Sequence, residues 1–250
     1  MEGDDPMESR NNLTVTGTGG AAGGLYKDIK VMGEADFNGD VDCLALKCSG
    51  TVKVRGGVKS TSCRINGTFD VSGDLVTGRA TIHGRMAVEG NVKAQEIKSN
   101  GETTIRGHVA GDRIHLEGYF QIKGRCEAEQ LRIKGIFKIA ELVNADSVDL
   151  ALHSRCQVKE IGGERIEVRR GTGTMLKKLL GSLFLPADYY EGTLTAESIE
   201  GDDVYVEYTQ AEVIRGRNVV VGPGCRIGRI EYTNKLEHTA GSDVTDAVQI

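Results

Sequence analysis

Residues 84–118 read GRMAVEGNVKAQEIKSNGETTIRGHVAGDRIHLEG, and Gly84, Gly101 and Gly118 stand 17 positions apart in this stretch. Gly90 and Gly107 repeat at the same interval, each six positions after a glycine of the first series. Two glycines at fixed positions in every unit indicate two tight turns per repeat, because glycine adopts backbone conformations that other residues avoid. A constant period of this kind is typical of a solenoid, in which each repeat forms one coil.

The same period extends in both directions along the chain. The first glycine series runs from Gly33 to Gly135 and the second from Gly39 to Gly124, without slippage. Between the glycines, apolar and polar residues alternate, which predicts β-strands with one buried face. Seventeen residues suit three short strands and three turns, so each coil would pair with the next at about 4.8 Å. The apolar residues form columns through successive coils, one of which is Phe37, Val54, Val71, Val88, Ile105, Ile122 and Ile139.

The repeat weakens after Gly135, because the next 17-residue step falls on Leu152. Apolar residues in the segment 175–185 have helical spacing, and Pro186 would end that helix. The sequence therefore predicts an all-β fold, a parallel β-helix of 17-residue coils with a short amphipathic helix inserted and a small C-terminal β extension. The predicted divisions are a flexible segment 1–24, the solenoid 25–170, the helix and linker 171–192, the extension 193–233 and a flexible tail 234–250.

Composition excludes several classes of function. Thirty-one Lys and Arg against 36 Asp and Glu give a net charge of −5, so no nucleic-acid partner is expected. The N-terminal ten residues are acidic and lack an apolar stretch, which favours a cytoplasmic location over secretion. The 6 Cys would then be reduced, and they form no CxxC pair for a metal. Five of them occupy inward positions and are predicted core residues, namely Cys43, Cys48, Cys63, Cys126 and Cys156.

No catalytic, cofactor-binding or metal site is predicted, so the chain is interpreted as a non-enzyme. No two of the five histidines share a position on neighbouring coils, as a metal or acid–base pair would prefer. The run Val219–Ile230 is somewhat similar to the hexapeptide repeats of left-handed β-helix acyltransferases. It contains no histidine and spans only two hexapeptides. An acyltransferase is therefore the alternative from the enzyme class.

Two charged features leave several interpretations open. One outward position of the repeat is mostly basic, and it could be ordinary solvated surface, a contact for anionic lipid or nucleic acid, or a lateral packing edge. The predicted helix could lie on a membrane surface or cap the last coil. The basic position is occupied by Lys30, Lys47, Arg64, Thr81, Lys98, His115 and Arg132, and the helix residues are Met175, Leu176, Lys177, Lys178, Leu179, Leu180, Leu183 and Phe184.

The glycine-punctuated coils resemble those of bactofilins, which are bacterial polymer-forming cytoskeletal proteins. The resemblance includes the entry segment GGLYKDIKVMG at 23–33 and the segment GDVDC at 39–43, and it covers residues 25 to about 168. It implies a right-handed β-helix that assembles end to end without nucleotide and supports cell shape, envelope organisation or motility. Implied partners are further copies of the chain, a related bactofilin subunit and the inner face of the membrane. A membrane-recruited adaptor solenoid is the remaining alternative.

End-to-end assembly requires an exposed face at each end of the solenoid. At the N-terminal end, the predicted interface consists of Ile29, Val31, Phe37 and Val41, which would be uncovered once the preceding segment moves aside. At the other end, the helix and the β extension are expected to cover the last coil. A filament, a capped oligomer and a copolymer with a related subunit therefore stay open.

Overall fold

A computed structural model describes residues 10–171 and 192–250 of the chain. These residues form one all-β solenoid, an 11-stranded parallel sheet in which each strand pairs with its neighbours in chain order. No helix occurs among them. The strands are β1 (Asn11–Val54), β2 (Val58–Val71), β3 (Leu75–Val88), β4 (Val92–Ile105), β5 (Val109–Ile122), β6 (Cys126–Leu152), β7 (Arg155–Arg170), β8 (Thr193–Val206), β9 (Thr209–Val221), β10 (Arg226–His238) and β11 (Asp243–Gln249).

The predicted 17-residue coil is confirmed by the strand register. Val41 pairs with Val58, and the same spacing continues through Leu75, Val92 and Val109. Each strand continues around a bend of the solenoid. It counts as one strand because its backbone stays hydrogen-bonded to the neighbouring coils through the bend. β1 and β6 are long enough to contain more than one coil.

The first glycine series forms a corner that no other residue can occupy. At Gly67 the backbone has φ of +135°, and a Cβ added there would lie 2.0 Å from the carbonyl oxygen of Gly50. Positive φ at this value is almost confined to glycine, and the close approach of adjacent coils leaves no room for a side chain. The seven stacked glycines with this geometry are Gly33, Gly50, Gly67, Gly84, Gly101, Gly118 and Gly135.

The interior is a continuous stack of apolar columns. Phe37, Phe69, Phe120 and Phe137 are at most 1% exposed, and one core cluster includes buried residues from Ile29 to Ile230. All six cysteines are buried and unpaired, so the prediction that five of them fill the core is confirmed. Burial also raises the pKa of Cys126 to about 12, because the thiolate is disfavoured in an apolar environment.

The other corner is held by a ladder of side chains that bond to the backbone of the next coil. The Asp74 carboxylate accepts a hydrogen bond from the Asn91 backbone N–H at 2.7 Å. Asn91 Oδ1 accepts one from the His108 N–H at 2.8 Å, and His108 Nδ1 accepts one from the Arg125 N–H at 3.0 Å. These bonds satisfy backbone donors where the strand hydrogen bonding is interrupted by the turn.

The structure differs from the predicted flexible segment 1–24 over residues 11–24, whereas residues 1–9 lie outside the described part of the chain. Residues 11–24 belong to β1 and form a further coil below the one that begins near Leu25. This coil is one residue shorter than the regular one, because Gly17 stacks against Gly33, where an added Cβ would lie 2.1 Å from the Gly17 carbonyl oxygen. The shorter step places Leu13 and Val15 against the core, where they are partly buried.

The C-terminal part is also corrected. β8 to β11 continue the same sheet, so residues 193–233 are not a separate small extension. The region 234–250, predicted as a flexible tail, contains the end of β10 and the whole of β11. The coil length changes here, because Leu194 pairs with Thr209, two residues short of the regular step, whereas Arg226 pairs with Asp243 at the regular spacing. The predicted helix at 175–185 lies outside the described residues.

Candidate assembly surfaces at the solenoid ends

The four residues predicted to form the N-terminal interface lie inside the solenoid. Ile29, Val31, Phe37 and Val41 are each at most 1% exposed, because the coil of residues 11–24 covers them. Tyr26 packs its ring edge-on against Phe37, with 6.2 Å between ring centroids. The structure therefore brings these four residues together in the core and places the end face one coil further towards the N-terminus.

The N-terminal end face is formed by small and apolar residues of the first coil. Leu13, Val15 and Ala21 occupy the columns of Ile29, Val31 and Phe37, one coil earlier, and they are partly buried against the core. Residues 11–24 contain no charged side chain. Among residues 10–171 and 192–250, none pairs with the outer edge of this coil. Within the described part of the chain, the face therefore presents backbone groups that no strand pairs with, around an apolar centre.

Arg10 fastens the first coil to the two coils behind it. Its guanidinium donates to the Asp42 carboxylate at 2.7 Å and to the backbone carbonyl of Tyr26 at 3.2 Å. The two side chains of the ion pair are 29% and 27% exposed. A partly buried, charge-assisted hydrogen bond is stronger than an exposed one. The contact therefore holds the N-terminal end face in register with the rest of the rod.

The C-terminal end face is formed by β11 and the second half of β10. Val244 pairs with Ile227 and Ala247 with Ile230, so both side chains continue apolar columns. Val244 is partly buried and Ala247 is exposed. β11 does not reach the columns of Leu236 and His238, and within residues 10–171 and 192–250 these two residues pair only with β9. The described strands therefore leave these two columns uncovered at the C-terminal end face.

The two end faces are built from the same apolar columns. Among the described residues, Leu13 is the first member of a column that runs through the solenoid to Leu236, which β11 does not cover. Ala21 begins the column that ends at Val244. A second copy placed on the C-terminal end could therefore set its Leu13 over Leu236 and its Ala21 over Val244. Such a joint continues both the backbone ladder and the apolar core.

The predicted helix residues, Met175 to Leu180, Leu183 and Phe184, lie outside the described part of the chain. The residues on either side of this segment return to one corner, where the Gly171 N–H donates to the Leu152 carbonyl and the Thr193 N–H to the Ser154 carbonyl. β7 pairs directly with β8 across the segment. The coil that a capping helix was expected to cover therefore has a strand on that edge already.

Three findings on the described residues concern metal ligands, the hexapeptide-like run and membrane-spanning helices. Residues 10–171 and 192–250 contain no group of three or more His, Cys, Asp or Glu side chains that could hold a metal ion. The run Val219–Ile230, compared above with hexapeptide repeats, contributes Val219, Val221 and Ile227 to the core. In the same part of the chain, no helix is long and apolar enough to cross a membrane.

Sequence reasoning missed the true N-terminal face because it assumed a constant step. A 17-residue step back from Ile29 and Val31 falls on Asn12 and Thr14, which are polar. The actual step is one residue shorter and falls on Leu13 and Val15. The positions of Gly17 and Gly33 were the available signal, since the interval between these glycines is also one residue less than the regular period.

Comparisons with known proteins give relatives but no family. No family model matches the chain, and no solved structure matches it. Uncharacterized protein YhbF of Bacillus subtilis is 38% identical over 110 residues, which are 44% of this chain and 42% of that protein. Uncharacterized protein YhbE of the same organism is 36% identical over 95 residues, 37% of this chain and 36% of that protein. The chain thus spans less than half the length of these relatives.

Proposed function

We propose that this protein is a non-enzymatic scaffold that assembles end to end through its solenoid, without a nucleotide. The observation that carries the proposal is the pair of end faces built from the same apolar columns, with Leu13 and Ala21 at one end and Leu236 and Val244 at the other. The resemblance to bactofilins supports the same function and adds a cytoskeletal role in cell shape, envelope organisation or motility. The proposed partner is a second copy of the chain or a related subunit, and the proposed location is the cytoplasm.

The physical basis of the proposal is that a coil at the end of a solenoid lacks the contacts of one adjacent coil. Each solenoid coil is stabilised by the coil on either side, and the two end coils lack one of these contacts. Joining two ends removes apolar side chains from water, at about 25 cal/mol per Å² of buried area, and pairs free backbone groups. No bound nucleotide is needed to drive this association.

A substitution at an exposed position of the C-terminal face tests the proposal. Ala247→Arg places a charge in the joint, and Ala247 is exposed in the single chain, so folding should be preserved. Thr245→Arg is the matched control, because it adds the same charge to β11 on its outward side. Phe37→Arg is unsuitable, since Phe37 is fully buried and a charge there would disrupt folding.

The measurement is sedimentation and negative-stain electron microscopy of the purified full chain without nucleotide, with circular dichroism as the folding control. We expect filaments from the wild type and from Thr245→Arg, and a large loss of pelleted protein from Ala247→Arg. A wild type that stays a small species at all salt concentrations would contradict homotypic assembly. Equal pelleting of the two variants would show that the joint lies elsewhere.

A further inference from the structure

One outward face of the solenoid carries the basic position found in the sequence. Lys47 lies beside Arg64, and Arg64 lies beside Thr81, on successive coils. Ser62 lies beside Arg79 in the adjacent outward column. Strands in one sheet are about 4.8 Å apart, so the cations of neighbouring coils are close enough to contact a single small anion.

The cations of this face fall into two groups that differ in their partners. Lys98 is 2.8 Å from a Glu96 carboxylate oxygen, and Arg132 is 2.8 Å from one of Asp149. Lys30, Lys47 and Arg64 are exposed, and none of them forms an ion pair with any residue in 10–171 or 192–250. This face of β1 and β2 therefore carries positive charge that no ion pair compensates, although the whole chain is acidic.

A recess lies within this uncompensated group. It has a volume of about 220 Å³, and its polar lining consists of Lys47, Ser62, Arg64, Arg79 and Thr81. Ser62 lies beside Arg79 and Thr81 beside Arg64, and the two short side chains leave space next to the longer cationic ones. Arg79 also contacts Glu96 at 2.9 Å. The recess thus combines three cations with two hydroxyl groups.

We propose that this recess binds a phosphate group. A guanidinium presents paired N–H donors that match the oxygens of a phosphate, and an ammonium contributes a compact positive charge. Arg64 and Lys47 supply these two groups, and the hydroxyls of Ser62 and Thr81 can donate to remaining phosphate oxygens. The phosphate can belong to a small soluble molecule or to a lipid headgroup, since the recess is open to solvent and the chemistry is the same.

The inference does not depend on end-to-end assembly, because the recess lies on the side of the rod. The direct test is calorimetric titration of the full chain with pyrophosphate at low ionic strength. We expect the double variant Lys47→Ala with Arg64→Ala to weaken binding by about tenfold or more, since two charge-assisted contacts are removed. The control, Lys93→Ala with Lys123→Ala, removes the same charge from exposed positions outside the recess and should change binding less than about twofold.

A second variant separates loss of binding from loss of folding. Ser62→Asp keeps all three cations but adds a carboxylate inside the recess, and its unfolding midpoint can be compared with that of the wild type. It should also weaken pyrophosphate binding.

Vesicles identify the source of the phosphate. Cosedimentation with phosphatidylcholine vesicles, with and without phosphatidylglycerol, shows whether the protein binds a phosphate headgroup. The same assay shows whether the double variant Lys47→Ala with Arg64→Ala binds these vesicles less well. Binding of either probe that the recess variants reduce, with the control unaffected, supports the proposal. A wild type that binds neither probe, or recess variants that bind as well as the wild type, would overturn it.

Discussion

The glycine corner gives the most demanding prediction, Gly67→Ala. A methyl group at this position would lie 2.0 Å from the carbonyl oxygen of Gly50, and real Cβ contacts are essentially never below 3.0 Å. The two coils must therefore separate locally by about 1 Å, which is a large fraction of the 4.8 Å strand spacing. The residue must in addition keep φ near +135°, which alanine strongly disfavours.

The cost follows from these two effects. The unfavourable φ contributes about 1 to 3 kcal/mol. Separation of the coils weakens neighbouring backbone hydrogen bonds, each worth about 1 kcal/mol and more where a buried group is left without a partner. Together these effects destabilise the fold by about 3 to 6 kcal/mol. Such a loss is comparable with the whole stability of many domains, so the variant should populate partly unfolded states.

Gly57→Ala is the matched control on the same coil. Gly57 has no positive φ, and its added Cβ would lie 3.2 Å from the Asp74 carbonyl oxygen, a contact that a small shift relieves. The same column holds Asp40 and Asp74 on the adjacent coils, so side chains are tolerated there. The cost should stay below about 1 kcal/mol, with part of it offset by the lower entropy of the unfolded chain.

The assay is urea denaturation followed by circular dichroism, with hydrogen exchange to locate any loss that is confined to a few coils. Gly67→Ala should lower the unfolding midpoint strongly and increase exchange in the coils of Gly50 and Gly67. If the two variants lose the same small amount of stability, the close approach of coils at this corner is not what requires glycine, and the reasoning is refuted.

Three further predictions concern the core and one histidine. Ser99 and Thr103 are buried and bond to each other at 2.8 Å, so Thr103→Val should destabilise by about 1 to 3 kcal/mol, and adding Ser99→Ala should recover part of this loss in urea denaturation. Additive losses would contradict that coupling. Burial, with the nearby Lys134 ammonium, lowers the pKa of His153 below its ordinary 6.5. The unfolded chain therefore takes up a proton that the folded chain resists, and stability should fall as pH drops below about 6.5, with a smaller fall for His153→Gln. An equal fall in the variant would assign the effect to other groups. The six buried cysteines should resist iodoacetamide at pH 8 in the folded protein and all react in guanidinium. Burial raises the pKa of each of the six thiols, that of Cys43 to about 12. Rapid labelling of one thiol in the native protein would show local opening.

The repeat made the central part of the fold predictable from sequence. The glycine corner is recognisable in the sequence, because the backbone geometry at Gly84, Gly101 and Gly118 accommodates no other residue type. The inward columns are equally visible in the sequence. Residues 17 positions apart, such as Val71 and Val88, pair on adjacent coils and are both apolar. Period and column together are enough to specify the parallel pairing.

The ends were not predictable in the same way, for a physical reason. A coil can gain or lose a residue at a turn without disturbing its neighbours, provided that the inward side chains stay in their columns. The first coil loses one residue before Gly33, and the coil from Leu194 to Thr209 is two residues shorter than the regular coil. A one-residue change shifts the inward positions of a fixed-step search to outward ones, so the step back from Ile29 misses Leu13. Val244 does lie at the regular step from Ile227, but the polar composition of residues 234–250 favours a flexible tail. Leu13 and Val244 are partly buried because their strands pair in a particular register with the adjacent coil, and the local sequence does not determine that register.

The composition of the end coils connects folding with the proposed assembly. In a solenoid, stability is close to a sum over coils and their nearest-neighbour contacts, so an end coil has about half the contacts of an interior one. The first coil is also poor in large side chains, and Gly19, Gly20, Ala21 and Ala22 bury little area against a high ordering cost. It relies on Arg10 and the Asp42 carboxylate for one of its contacts to the rod. A second copy stacked on this coil would supply the missing neighbour, so association and ordering of the end coil should strengthen each other. Arg10→Ala should therefore reduce filament formation even though the Arg10 side chain bonds within its own chain, and unchanged assembly in that variant would show that the first coil is already ordered without the clamp.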